Sequence, residues 1–127
     1  MLLKIHHAAI ICSNYPLSKE FYVGVLGLKI VQETYREQRQ SYKLDLELPS
    51  GEQVELFSFP TPPQRTSYPE ACGLRHLAFC VEDVEKAIAS LKLKNVSCEP
   101  IRIDALTGKR HTFFADPDGL PLELVEL

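Results

Sequence analysis

Arg75-His76-Leu77-Ala78-Phe79-Cys80-Val81 has an earlier counterpart in His7-Ala8-Ala9-Ile10-Ile11-Cys12. Each is a short apolar run rich in β-forming residues, opened by a histidine, and each reads as a buried strand. A helix signal follows both. After the first strand, Asn14 or Tyr15 stands at the N-cap and Pro16 suits the first turn. Leu17, Phe21 and Val25 then fall at four-residue steps, predicting one apolar helical stripe that Gly27 stops. After the second strand, Asp83 caps a run in which Val84, Ala87, Ile88 and Leu91 make one face. Three strand-like runs complete each half, at about 28–36, 42–49 and 53–59, and at about 97–103, 109–115 and 120–126. Ser50-Gly51, Thr107-Gly108 and Asp116-Pro117-Asp118-Gly119 supply turns. The order β-α-β-β-β therefore occurs twice, which predicts an α+β fold of two tandem modules.

The modules span about 1–59 and 73–127 of a chain of 127 residues, a length that suits one domain of two small modules sharing a core. Between them, Pro60, Pro62, Pro63 and Pro69 exclude helix and central strand, so 60–72 reads as a linker. A net charge of −3 with mixed signs excludes a nucleic-acid surface. No apolar run approaches the roughly 20 residues of a membrane span, and the N-terminus lacks the pattern of a signal peptide. A cytoplasmic protein is expected. Cys12, Cys72, Cys80 and Cys98 are scattered without a C-x-x-C pair, so they are expected to be reduced.

The repeat also pairs polar residues. His7 and His76 are 69 positions apart; Glu55 and Glu123, each on the last strand of its half, are 68 apart. Side chains alternate along a strand, so His7 shares a face with Ala9 and Ile11, and His76 with Ala78 and Cys80. Glu55 shares its face with Phe57 and Phe59, and Glu123 with Val125. Each glutamate has apolar neighbours on both sides, and a carboxylate there is costly unless compensated. Two imidazoles and two carboxylates balance one divalent cation: zinc, nickel or cobalt, with manganese and iron also suited to the N2O2 set. Any one of these residues taken alone is more readily a hydrogen-bonded or solvated side chain; the shared offset reverses that reading for the set. His6 competes as the first ligand, but its parity sets it opposite Ala9 and Ile11, in the place equivalent to Arg75, so His7 is preferred.

These features together with Phe21-Tyr22, Leu26-Gly27-Leu28, Val54-Glu55-Leu56 and Asp116-Pro117-Asp118-Gly119 before Leu122-Glu123-Leu124 resemble the vicinal oxygen chelate superfamily over nearly the whole chain, and most closely its short bacterial glyoxalase I-like members. The resemblance implies a mixed sheet that curls around a metal site, with His7, Glu55, His76 and Glu123 as ligands. It implies a homodimer, the site often being formed between modules of two chains. The implied activity is that of a lactoylglutathione lyase-like enzyme, a carbon-sulfur lyase or isomerase acting through an enediolate on a small 2-oxo or 2-hydroxycarbonyl compound. Glu123 matches the family's usual base and Glu55 is the second candidate. A metal-dependent epimerase and a non-catalytic sequestering protein of the same fold are the alternatives, although a sequestering cavity has no need of two buried carboxylates. The chain departs from the glutathione-using pattern: Ile11 stands four residues after the first His, where Arg is usual, and Phe59 four after the first Glu, where Asn is usual. Phe57 and Phe59 are expected to line the substrate. Arg36, Arg39, Lys109 and Arg110 either hold an anionic substrate group or are solvated charges at strand ends. Cys80 either lines the pocket or simply packs, and packing is favoured.

Overall fold

The computed structural model describes residues 1–127 and divides them into two compact units, Met1–Gln64 and Arg65–Leu127. The first contains β1 (His7–Cys12), α1 (Tyr15–Lys19), β2 (Lys29–Arg36), β3 (Ser41–Glu47) and β4 (Gln53–Ser58). The second contains β5 (Leu77–Val81), α2 (Val84–Leu93), β6 (Arg102–Ile103), β7 (Arg110–Ala115) and β8 (Pro121–Glu126). Each unit has one open, four-stranded mixed sheet, ordered β1-β4-β3-β2 and β5-β8-β7-β6. In both, the first strand lies parallel to the last and the remaining neighbours are antiparallel. The α+β class and the tandem order follow the reading of the sequence.

Alternation decides which face of each sheet meets a helix. In the first unit Ile10, Cys12, Leu44, Leu46, Val54 and Leu56 are buried with Phe21 and Tyr22. In the second, Val84 and Leu91 of α2 are buried with Phe114, Leu122 and Leu124. The odd-numbered residues of β1, β3, β4, β7 and β8 and the even-numbered ones of β5 turn to the opposite, open face.

Two elements differ from expectation. The single stripe of Leu17, Phe21 and Val25 is not what packs. After α1 the chain widens into a π-helical segment, Glu20–Val25, in which Leu26 N–H donates to Phe21 C=O five residues back. The extra residue per turn rotates the face, so the adjacent Phe21 and Tyr22 are both buried while Leu17 stays 54% exposed. Asn14 is the cap, its side chain accepting from Leu17 N–H. The run at 97–103 yields a strand only at Arg102–Ile103. Pro100 has no N–H to give the ladder, and the preceding segment is held instead by Glu99 N–H to Phe113 C=O and by the Thr112 hydroxyl to Glu99 C=O.

The stretch read as a linker is divided as well. Residues from Arg65 on belong to the second unit. The Arg65 guanidinium donates to Ser67 Oγ and to the carbonyls of Leu74 and Arg75, and Ser67 Oγ donates to Gly119 C=O. These bonds lay 65–75 along the unit and fix the backbone that leads into His76.

Candidate metal centre

The two histidines and two glutamates meet in pairs, one pair per unit. His7 opens β1 and His76 directly precedes β5. In the parallel pairings Ala9 stands opposite Glu55 and Ala78 opposite Glu123. Each glutamate thus faces the residue two beyond its histidine, on the same side of the sheet. The result is His7 Nε2 3.3 Å from Glu55 Oε2, and His76 Nε2 3.1 Å from Glu123 Oε2. The glutamate side chains are 13% and 16% exposed, sunk further than the imidazoles beside them.

Each pair fits a borderline divalent ion. Two donor atoms about 2.0–2.2 Å from one ion, at adjacent coordination positions, lie roughly 3 Å apart, the separation found here. The donors are imidazole nitrogen and carboxylate oxygen, without thiolate. Each pair offers two donors, and no group of three or more His, Cys, Asp or Glu side chains comes together as a cluster.

The surroundings of the pairs differ. In the first unit His6 Nδ1 lies 2.9 Å from His7 Nδ1. If Nε2 held an ion, His7 would carry its proton on Nδ1 and could donate it to His6, fixing the tautomer. Glu55 also meets an ammonium: Lys43 Nζ is 3.4 Å from Glu55 Oε1 and 3.4 Å from Asp45 Oδ1. Burial alone would lower the pKa of Lys43, but the charges of Asp45 and Glu55 outweigh it and hold the pKa above the ordinary value. In the second unit the register puts His111 where Lys43 stands and Phe113 where Asp45 stands. Glu123 therefore has only His76 beside it, and the Phe113 ring meets the His76 ring edge to face at 5.3 Å. His76 Nδ1 is buried without a hydrogen-bond partner.

Sequence reasoning missed Lys43, Asp45 and the contact of His6 with His7. Lys43 and Asp45 alternate with Leu44 and Leu46, so strand parity already assigns them to the open face.

The remaining candidates are distributed unevenly. Arg36 and Phe57 lie on the open face of the first sheet, with the Arg36 guanidinium 4.9 Å from the Phe57 ring centre and Nη2 donating to Ser41 Oγ. Arg39 sits over Phe59 at 5.4 Å, and the two phenyl rings stack at 6.3 Å. Arg110 is placed elsewhere. It shares the helix-covered face of β7 with Thr112 and Phe114, and its guanidinium is held by Glu126 at 2.7 Å and Glu85 at 3.5 Å. It is thereby occupied as a support for α2, since Glu126 also accepts from Val84 N–H. Cys80 is exposed on the His76 face. His76 and Phe113 line a cavity of about 580 Å³ in the second unit.

Comparison with known proteins gives this arrangement a context. The model of the Glyoxalase/Bleomycin resistance protein/Dioxygenase superfamily matches residues 4–124. The chain is 63% identical to the uncharacterized protein YwkD of Bacillus subtilis, over 99% of both chains. It is 58% identical to YaeR of Escherichia coli, over 98% of this chain and 97% of that one. More distantly, it is 27% identical to a 2-epi-5-epi-valiolone epimerase of Actinomyces, over 97% of this chain and 79% of the other. Among solved structures, a glyoxalase family protein of Enterococcus faecalis superposes with a TM-score of 0.90 at 52% identity, covering 97% of each chain. The trypanothione-dependent glyoxalase I of Leishmania major gives 0.74 at 26% identity, over 98% of this chain and 87% of that one.

Proposed function

The chain belongs to the Glyoxalase/Bleomycin resistance protein/Dioxygenase superfamily, and we propose that it is a divalent-metal-dependent lyase or isomerase of the glyoxalase I kind, acting on a small 2-oxo or 2-hydroxycarbonyl compound. The observation that carries the reading is the repeated register: in both units a histidine and a glutamate meet Nε2 to Oε2 at 3.1–3.3 Å on the open face of a sheet. His7, Glu55, His76 and Glu123 would hold the cation as one set, within a chain or across a homodimer. Zinc, nickel and cobalt suit the donors. When bound, the cation supplies Lewis-acid polarisation of the two neighbouring substrate oxygens.

The chain's own residues supply the proton chemistry. A carboxylate must take a proton from one carbon and return it to the next. Glu123 is assigned this role because no ammonium competes for it, whereas Glu55 is engaged by Lys43 on Oε1. His76 Nε2 lies 3.1 Å from Glu123 Oε2, and the Phe113 ring packs edge to face on His76. His7, steadied by His6, and Glu55 serve as fixed anchors. An epimerase would use the same proton abstraction and return the proton to the carbon that lost it, so the two activities share this site.

Elemental analysis of the purified protein, together with assays of metal-loaded protein on 2-oxoaldehyde adducts of several thiols and then on acyl-CoA epimers, tests the reading. About one divalent ion per four-residue set is expected, lost in the His76→Ala/Glu123→Ala double variant. Unchanged metal content in that variant would sink the assignment.

A further inference from the structure

The cavity beside His76 has a charge that the proposed chemistry does not use. It is lined by residues of the 65–75 segment, by Ser97–Glu99 and by residues of β7 and β8 that include Phe113 and Pro121. Three arginines are among its lining residues: Arg65, Arg75 and Arg102. Arg102 is neutralised by Glu99 at 2.7 Å. Arg65 donates only to uncharged oxygens, those of Ser67, Leu74 and Arg75, so its positive charge stands uncompensated. The Arg75 side chain forms no internal hydrogen bond or ion pair, and its residue precedes His76 directly. Glu70 is the one other carboxylate among the lining residues, and the ion pair formed there is that of Arg102 with Glu99. In a chain whose net charge is −3, two uncompensated guanidiniums beside the histidine of a candidate metal centre mark a place for negative charge. The volume, about 580 Å³, is that of a small-molecule pocket. Cys98 also lines it; burial pushes its thiol pKa up, so it contributes no thiolate to repel an anion.

We propose that this cavity binds a small organic anion, with Arg75 as its anchor and Arg65 as a fixed supporting charge, and that the substrate is a 2-oxo or 2-hydroxy compound carrying a carboxylate or phosphate. The identification of the ligand as substrate rests on the function proposed above; the anion site itself does not. The specificity of the site then comes from the second unit's 65–75 segment rather than from Arg110. The apolar wall of Phe113 and Pro121 takes the carbon skeleton, and His76 stands at the reacting end.

The test is calorimetric titration of the full chain with pyruvate and with inorganic phosphate, before and after chelator treatment. Saturable binding of at least one is expected in both states. Arg75→Gln is expected to weaken it about tenfold or more, the loss of a charge-assisted pair. Arg75→Lys should fall between, keeping charge without the planar fork. Lys92→Gln, the same change of net charge on the exposed end of α2, should leave binding unchanged. Circular dichroism confirms that each variant is folded. Which anion binds tells a carboxylate substrate from a phosphate one. No saturable binding by the native chain, equal binding by Arg75→Gln, or equal binding of methyl pyruvate overturns the proposal. Metal uptake measured on the same preparations decides the other reading independently, because anion binding by chelated protein does not require the cation.

Discussion

Glu55 and Glu123 occupy one position of the repeat in different company. Lys43 lies against Glu55, while the equivalent register position in the second sheet holds His111, opposite Val125, and Glu123 pairs with His76 alone. Glu123→Gln is accordingly expected to lower kcat by 10²-fold or more, about the contribution of a positioned general base. Glu55→Gln should act mainly on metal affinity. Stopped-flow assays and calorimetry separate the two, and equal loss of kcat in both variants would contradict the assignment of the base. His6 calls for a different experiment. Removing the outer partner of a metal-binding histidine typically costs 10- to 100-fold in affinity, so His6→Ala should weaken cobalt binding by about that much and alter its visible spectrum. His6→Asn, which can still accept from His7 Nδ1, should recover part of the loss. The substrate carries a residue-scale prediction too. Ile11 and Phe59 remove two hydrogen-bonding groups that the glutathione-using pattern places near the metal, so the glutathione hemithioacetal of methylglyoxal should be a poor substrate. A kcat/KM within the ordinary range of about 10⁴–10⁸ M⁻¹s⁻¹ with zinc, nickel or cobalt would refute this.

At the scale of elements, what could be read in the sequence was whatever obeys a period. The two strand-helix openings, the paired glutamate strands and the Asp116–Gly119 turn all announce themselves through alternation or turn chemistry. The π-helical segment did not, because a widened turn is set by packing of Phe21 and Tyr22 and leaves no period of its own. The wall of the cavity did not either: residues 65–75 carry no periodicity, and their place is fixed by Arg65 bonds to backbone carbonyls. Arg110 was legible in principle, since parity groups it with Thr112 and Phe114. Its actual task supports a prediction. The Arg110 hydrogen bond, and then the Val84 N–H, hold the Glu126 carboxyl below the usual carboxylate range. A lowered folded-state pKa gives stability that is present above the unfolded value, near 4.5, and is lost as pH falls through the folded value. Glu126→Gln should therefore lower the Tm at pH 7, with the gap to the native chain closing below about pH 4. A gap independent of pH would show that the pairing contributes nothing through charge. The cap of α2 gives a simpler check: Asp83 accepts from Lys86 N–H at 3.0 Å, and Asp83→Ala should cost about 1 kcal/mol in urea unfolding.

For the whole molecule, a cation held as proposed would couple chemistry to stability. A ligand that binds only the folded chain stabilises it by about 2.7 kcal/mol at one hundred times its Kd. In a chain of 127 residues that is a Tm rise of roughly 10 °C. Calorimetric scans with and without chelator measure it, and identical melting curves would mean that the four residues hold no ion. The sheet order has a further consequence, in time rather than in energy. β1 and β5 each sit at a sheet edge, paired only with the last strand of their unit, so His7 must wait for Gln53 and Leu77 for Leu122. At a synthesis rate of about 5–20 residues per second, the 46 positions from His7 to Gln53 take roughly 2–9 seconds to be made. Throughout that interval Ala8–Cys12 is an apolar strand without a partner, a target for a holding chaperone on the nascent chain. Ribosome-bound chains halted before residue 53 should remain open to protease around β1, while chains halted well beyond residue 58 should resist it.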